Sequence, residues 1–308
     1  MSLLAVLKGK GENGFGYGTT AEEATAGVDL TGKTVLVTGC TVGLGLETTR
    51  VLHKRGAHVI AAARTADKAS AAITAAGAAG RATPVACELS EPSSVRACAA
   101  AVRDSGRRLD AIVCNAGIMA LPELQQKHGY ELQFLTNHIG HFLLVTGLLD
   151  QLTSDARVVM LSSGAHKQAP AAGIEFDNLS GERGYRPWKA YGQSKLANLL
   201  FASELSRRFV GTARVAFAIH PGVIRTELVR HLSPFARGAF AVLGPLGLKT
   251  IPQGAATQCY AAAHPDARRH SGAYLADCNP AEPSRHGKDT ALAGKLWKRS
   301  EEIAAQLA

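Results

Sequence analysis

Short apolar runs alternate with longer mixed stretches along most of the chain. "GKTVLVTG", "HVIAAA", "TPVACEL", "LDAIVCNAG", "ARVVMLSS" and "RVAFAIHPG" are each rich in Val, Ile, Leu or Ala and end at polar residues or at glycine. Most run apolar through successive positions, which predicts strands buried on both faces. Between them, "LETTRVLHKRG", "PSSVRACAAAVRDSG", "ELQFLTNHIGHFLLVTGLLDQL" and a stretch from about Trp188 carry helical spacing. Strand and helix in regular alternation predict an α/β fold: one doubly wound, mostly parallel sheet with helices on both faces. Right-handed crossovers then bring the C-terminal ends of the strands to one edge, where ligands bind. That edge is where the chemically informative residues fall.

No repeat and no Pro/Gly-rich linker divides the chain, so residues 31–308 are expected to form a single domain behind an N-terminal extension, 1–30. The extension opens with "MSLLAVLKGKGENGFGYG", whose apolar run is too short to span a bilayer and is followed by no cleavage pattern. It is read as a flexible or surface-draped segment. Hydrophobic residues make up 46% of the 308, enough for a sizeable core. The net charge of +9 raises the question of nucleic acid, but the basic residues are dispersed, with no aromatic interleaving. A solvated basic surface or a phosphorylated cofactor fits better than a nucleic-acid partner. The 6 cysteines show no CxxC spacing, so neither a metal site nor a disulfide framework is indicated. A reducing, cytoplasmic setting is the expectation.

The first strand runs into "VTGCTVGLGLE", with Gly39, Gly43 and Gly45 ahead of the first helix. Glycines there permit a tight turn and let a pyrophosphate approach the backbone, while the helix N-terminus supplies N–H groups and a positive dipole end. The spacing is TGxxxGxG, and with it the chain resembles the short-chain dehydrogenase/reductase superfamily. The resemblance implies a Rossmann-type, seven-stranded sheet and a cofactor turn using Gly39, Thr41, Gly43, Leu44 and Gly45. "CNAG" resembles the family's NAG motif and implies that Asn115, Ala116 and Gly117 line the adenosine side. "CELS" resembles the family's Asp-Leu pair beside the adenine, with Glu88 in place of the usual Asp, followed by Leu89.

The end of the second strand reads "AAARTADK". A site for NAD commonly holds a carboxylate here, accepting from the ribose 2′-hydroxyl. Ala63 stands where that acid is expected and Arg64 follows, a guanidinium suited to a 2′-phosphate. NADP(H) is therefore favoured over NAD(H), with Arg64 as the main contact and Lys68 as a second. The family's other common phosphate-reading position, just before the second glycine, holds Val42.

Tyr191 stands four residues before Lys195 at the head of an apolar helical run, Ser163 closes the strand "RVVMLSS", and Asn137 lies in "LTNHIGHF". The resemblance makes Asn137, Ser163, Tyr191 and Lys195 the catalytic tetrad. Carbonyl reduction needs a proton for the oxygen, and a free phenol titrates too high to exchange readily at neutral pH. Lys195, one turn on, is expected to lower the Tyr191 pKa and to reach the nicotinamide ribose. Ser163 is expected to bond the substrate oxygen, and Asn137 to hold a water linking Lys195 to solvent. Adjacent Ser162 and Ser163 cannot both face the site from an extended chain, and the family's pattern favours the second. "HPGVIRTEL" resembles the family's PG motif, which implies Pro221, Gly222, Val223 and Thr226 beside the nicotinamide.

The insert between Ser163 and Tyr191, with "NHIGHF" and "YGQSKLAN", resembles the retinol-dehydrogenase-like branch. That implies a small apolar carbonyl or alcohol substrate, retinoid- or steroid-like. Residues 226–252, carrying Phe235, Phe240, Leu243 and Leu246, read as a substrate lid, with an oligomer contact or ordinary packing together weighing as much. Many members pair as homodimers, and the sequence leaves the oligomeric state open. His138, His141 and His166 lack metal-ligand spacing and are read as structural or substrate-lining. Two other readings remain beside carbonyl chemistry: a cofactor-binding sensor without turnover, and a C=C reductase on the same fold.

Overall fold

The computed structural model describes residues 8–224 and 248–308. Strands β1 (Thr34–Thr38), β2 (His58–Ala63), β3 (Ala82–Ala86), β4 (Leu109–Cys114), β5 (Leu152–Leu161), β6 (Val215–His220) and β7 (Tyr274–Ala276) pair in parallel. Helices α1 (Gly43–Lys54), α2 (Ala66–Ala75), α3 (Pro92–Asp104), α4 (132–146), α5 (Pro187–Arg208) and α6 (Ile251–Ala263) lie between consecutive strands of this series, and α7 (Thr290–Gln306) closes the chain. A short antiparallel strand, β8 (Asn279–Pro280), adds to the edge beyond β7.

The sheet therefore has eight strands in the order β8-β7-β6-β5-β4-β1-β2-β3, where the sequence predicts seven. The eighth arises because Asp277 and Cys278 both take positive φ, 53° and 62°, which turns the chain back on β7 in a two-residue hairpin. Neither is a glycine, so the sequence carries no turn signal there.

Alternate strand positions feed two cores, as the period of two requires. Leu36, Ile112, Val158, Met160, Ala216 and Ala218 face one side, packed with Phe142 of α4, Leu205 of α5 and Trp297 of α7. Val35, Val37, Val113, Val159, Phe217 and Ile219 face the other, packed with Leu52 of α1 and Tyr260 of α6. Both faces of the central strands are covered, while β3 at the edge is largely half-buried or exposed. The order reverses between β1 and β4, and the crevice at that switch receives the loops after both strands.

Segment 8–30 drapes over the domain with real burial: Ala21, Ala24 and Thr25 are fully enclosed. The Ala21 N–H donates to the Pro252 carbonyl (2.8 Å), and the Asn13 amide to the Cys278 carbonyl (2.7 Å), which fastens the segment to α6 and the β7–β8 hairpin. The six cysteines are free and buried. Among the described residues no helix is long and apolar enough to cross a membrane.

Phe217 is fully buried at the centre of the α1/α6 face. Phe217→Ala should cost about 3–5 kcal/mol, read as a lower urea midpoint with unchanged slope. A loss under about 1 kcal/mol would mean that this face packs loosely.

Candidate active site

The turn after β1 depends on two close approaches. Gly39 has φ 66°, and a Cβ on it would lie 2.9 Å from Ala116; a Cβ on Gly45 would lie 2.1 Å from the Gly39 carbonyl oxygen and 2.6 Å from Asn115 Nδ2. Only bare backbone lets the turn nest against residues 115–116. Gly43 also has positive φ, 57°, yet a Cβ there meets nothing within 4 Å. Its side faces open space, so the room above the turn is left for a ligand. Val42 caps α1 without a side-chain hydrogen bond, so its own side chain leaves the first N–H groups of that helix open. Thr41 and Leu44 flank the turn, half-buried.

Asn115 is held by its amide, which donates to the carbonyls of Thr38 (2.9 Å) and Gly39 (3.3 Å). Gln258 of α6 donates to its Oδ1 (3.3 Å), a partner that no local motif announces. Arg64 and Lys68 are exposed at the end of β2, where Thr65 caps α2. Glu88 lies beside the crevice, but its Oε1 accepts from both the Ser90 N–H (3.2 Å) and the Ser90 hydroxyl (3.0 Å). Leu89 does not line the site with its side chain, which is buried in the core under α4. Its carbonyl presses on Gly140, where a Cβ would come within 2.3 Å.

Ser163, Tyr191, Lys195 and Asn137 come together at the C-terminal edge of β4 and β5. Tyr191 and Lys195 share one face of α5, whose first residue, Pro187, suits a helix start. Gly192 lets that helix press on the turn after Ser163, since a Cβ would lie 2.7 Å from the Ala165 carbonyl oxygen. The Ser163 hydroxyl accepts from the Ala165 N–H (3.2 Å) and draws the Tyr191 phenol pKa down. Ser162 faces away, and its hydroxyl donates to the Lys195 carbonyl (2.8 Å). Thus one serine anchors the helix and its neighbour faces the phenol.

Lys195 is 2% exposed, and its ammonium donates to the Leu161 carbonyl (3.0 Å) while standing 5.7 Å from the Tyr191 ring centroid. Asn137 sits in a π-helical turn of α4, accepting from the Ile118 N–H (2.8 Å) and donating to the Ile118 carbonyl and Ser194 hydroxyl (both 2.9 Å). A Cβ on Gly117 would lie 3.0 Å from Asn137 Oδ1 and 3.3 Å from Lys195 Nζ, so these groups border one small space.

The electrostatics differ from the expectation that Lys195 lowers the phenol. Burial pushes Tyr191 up to about 12, and the Ser163 hydrogen bond is what draws it down. Burial also lowers Lys195 to about 8. The reason is geometric: the ammonium is directed at the Leu161 carbonyl, and desolvation penalises both charged forms.

Pro221 is buried, Gly222 has φ 90° against the Lys249 side chain, and Val223 is exposed with its carbonyl accepting from the Lys249 N–H (2.9 Å). Thr226 lies outside the described residues, as do Phe235, Phe240, Leu243 and Leu246. Of the segment read as a lid, 248–252 is described, and there Thr250 forms a capping box with Gln253 at the head of α6. Ile251 and Pro252 open that helix, and Lys249 pairs with Ile224 as an isolated parallel bridge.

None of the three histidines lines the substrate space. His138 is enclosed by Phe134, Phe142 and Phe201 and pairs with the Ser300 hydroxyl (2.8 Å). His166 donates from Nδ1 to the Ser163 carbonyl (2.6 Å) and accepts at Nε2 from the Ser284 N–H (2.9 Å), which fixes the backbone of Ser163. His141 bonds the Asn137 carbonyl (2.8 Å).

Known proteins share this arrangement of chain. The short chain dehydrogenase family model matches residues 33–236. Short-chain dehydrogenase TIC 32 A, chloroplastic, of Brassica napus is 41% identical over 320 residues and covers all of both chains. Retinol dehydrogenase 14 of Mus musculus is 38% identical, over 88% of this chain and 85% of that protein. Among solved structures, an uncharacterised protein from Mycobacterium paratuberculosis superposes with TM-score 0.74 at 35% identity, covering 92% of this chain and 97% of its own. The angucycline C-6 ketoreductase LanV with bound NADP superposes with TM-score 0.66 at 25% identity, covering 81% and 95%.

The two glycines of the turn should respond differently to a methyl group. Gly45→Ala is expected to cost about 1–3 kcal/mol through overpacking and Gly43→Ala about 1 kcal/mol through its left-handed backbone alone. Urea unfolding of both would reject this account of the turn if Gly43 proved the more sensitive.

Proposed function

This chain belongs to the short chain dehydrogenase family, and we propose that it transfers hydride between NADP(H) and the carbonyl or alcohol of an apolar small molecule. The observation that carries the reading is the meeting of Ser163, Tyr191, Lys195 and Asn137 beside an open glycine turn. The turn fits a dinucleotide: among the described residues Gly43 presents open space, and the Val42 N-cap offers the first N–H groups of α1 no side-chain acceptor. Arg64 at the end of β2 supports the phosphorylated form, since Ala63 supplies no carboxylate to repel a 2′-phosphate. The LanV ketoreductase, solved with NADP, favours the same choice.

When bound, the reduced nicotinamide supplies the hydride that the carbonyl carbon accepts. The protein's part is the proton. Tyr191 gives its phenolic proton to the substrate oxygen as the C=O double bond becomes a C–O single bond. With substrate in place Ser163 turns its single hydroxyl proton to the same oxygen, so negative charge developing there is shared between two donors. A phenol held near 12 stays protonated at neutral pH, which suits the reductive direction. Lys195, at about 8, remains cationic at neutral pH and can restore the proton. Trp188, 48% exposed with its ring edge-on to Tyr191 at 6.1 Å, offers an apolar wall to the substrate. The retinol dehydrogenases among the relatives support an apolar alcohol or aldehyde.

The direct test follows NADPH consumption across a panel of apolar aldehydes and ketones. Tyr191→Phe should lower kcat by about 10²–10⁴ while NADPH still binds. The wild-type rate should hold steady below about pH 8 and fall as Lys195 loses its proton above it. A rate that climbs through that range would mean that the phenolate is the working form and would reject the reductive assignment. Arg64→Ala should weaken NADPH about tenfold to a hundredfold and leave NADH unchanged; equal loss for both would remove the 2′-phosphate role.

A further inference from the structure

His141 is fully buried one helical turn after Asn137, and its two ring nitrogens have different partners. Nδ1 lies 2.8 Å from the Asn137 carbonyl oxygen and Nε2 lies 2.9 Å from Thr38 Oγ1. The carbonyl can only accept, so Nδ1 carries the proton. Burial and the nearby Lys195 charge push the ring pKa down to about 4, so the imidazole is neutral and Nε2 must accept. Thr38 Oγ1 therefore donates to it. The same oxygen accepts from the N–H groups of Asn115 (3.0 Å) and Ala116 (3.1 Å), which fills its two lone pairs. The other acceptor for its proton, the Val113 carbonyl, lies at 3.5 Å, too far to compete. Every hydrogen in the chain is thus assigned: two backbone N–H groups to Thr38, Thr38 to His141, His141 to Asn137.

We infer that His141 is a positioning residue, joining the last residue of β1 and the 115–116 turn to the Asn137 backbone, so that the nucleotide turn and the Lys195 end of the proton path are placed together. Asn137 lies in a π-helical turn, where the backbone ladder is out of its ordinary register. A side chain that reaches back to its carbonyl therefore settles where that residue stands. Asn137 Oδ1 and Lys195 Nζ border the same point beside Gly117, so a shift of the π-turn moves one against the other. The chain runs on to the nucleotide side, because Asn115 also bonds the carbonyls of Thr38 and Gly39.

The kinetic part of this inference rests on the proposed function; the coupling itself does not. Two substitutions at His141 separate hydrogen bonding from packing. His141→Gln keeps one donor and one acceptor but loses the ring, whereas His141→Phe keeps the ring and loses both bonds. Positioning predicts that His141→Phe lowers kcat about tenfold to a hundredfold with substrate KM little changed, and that His141→Gln restores most of it. Packing predicts the reverse order, and that order would overturn the inference. Thr38→Val severs the same chain at its other end and serves if His141→Phe does not fold. Urea unfolding of the unliganded protein supplies a readout free of turnover. Non-additive losses in a double-mutant cycle of Thr38→Val with His141→Phe support the coupling, and additive losses overturn it. If Tyr191→Phe retains full turnover, the proposed function fails, and the unfolding cycle still decides the question for His141.

Discussion

The hydroxyl oxygen of Thr38 stands where three segments of chain converge at the end of β1. It accepts from two backbone N–H groups of the 115–116 turn and bonds His141 of α4. A parallel sheet buried on both faces leaves its strand ends as the place where backbone groups go unpaired, and those ends are also where ligands enter. Something compact must pair the loose N–H groups without filling the crevice. Threonine does so with one atom. The glycine turn, Asn115 and the π-turn of α4 are then placed relative to one another by bonds shorter than about 3.3 Å.

A second constraint is desolvation. Lys195 and Tyr191 are brought into the crevice by a helix that is itself deeply buried, and both charged forms suffer for it. The lysine keeps its ammonium by bonding the Leu161 carbonyl, the last residue of β5. The tyrosine keeps its proton and bonds Ser163. Its high pKa is consistent with donating a proton under neutral conditions, and the lowered lysine is consistent with passing one on. Adjacent serines divide the work, because an extended chain turns successive side chains to opposite sides: Ser162 fastens the helix and Ser163 meets the phenol.

Much of this was legible in the chain. Apolar runs marked six of the strands; five are covered on both faces and need no polar alternation, while β3 at the edge is partly exposed. Glycine spacing marked the turn at Gly39, Gly43 and Gly45, because Gly39 and Gly45 sit in approaches that no side chain tolerates and Gly43 takes a left-handed backbone. The eighth strand was not legible: Asp277 and Cys278 adopt a turn that local propensity reserves for Asn and Gly. Nor were the roles of the histidines. His138, His141 and His166 look alike along the sequence, yet one fills a core, one bonds the serine backbone and one bonds Asn137.

The sequence by itself determined the alternating fold, the glycine turn and the residues that meet at the site, because each follows from period, spacing or side-chain chemistry along a few neighbouring positions. Tertiary structure alone decided the protonation of Tyr191 and Lys195 and the path from Thr38 through His141 to Asn137. Those depend on burial and on pairs of atoms more than a hundred positions apart, such as Thr38 and His141. Desolvation and long-range hydrogen bonds exist only once the sheet has brought the strand ends together.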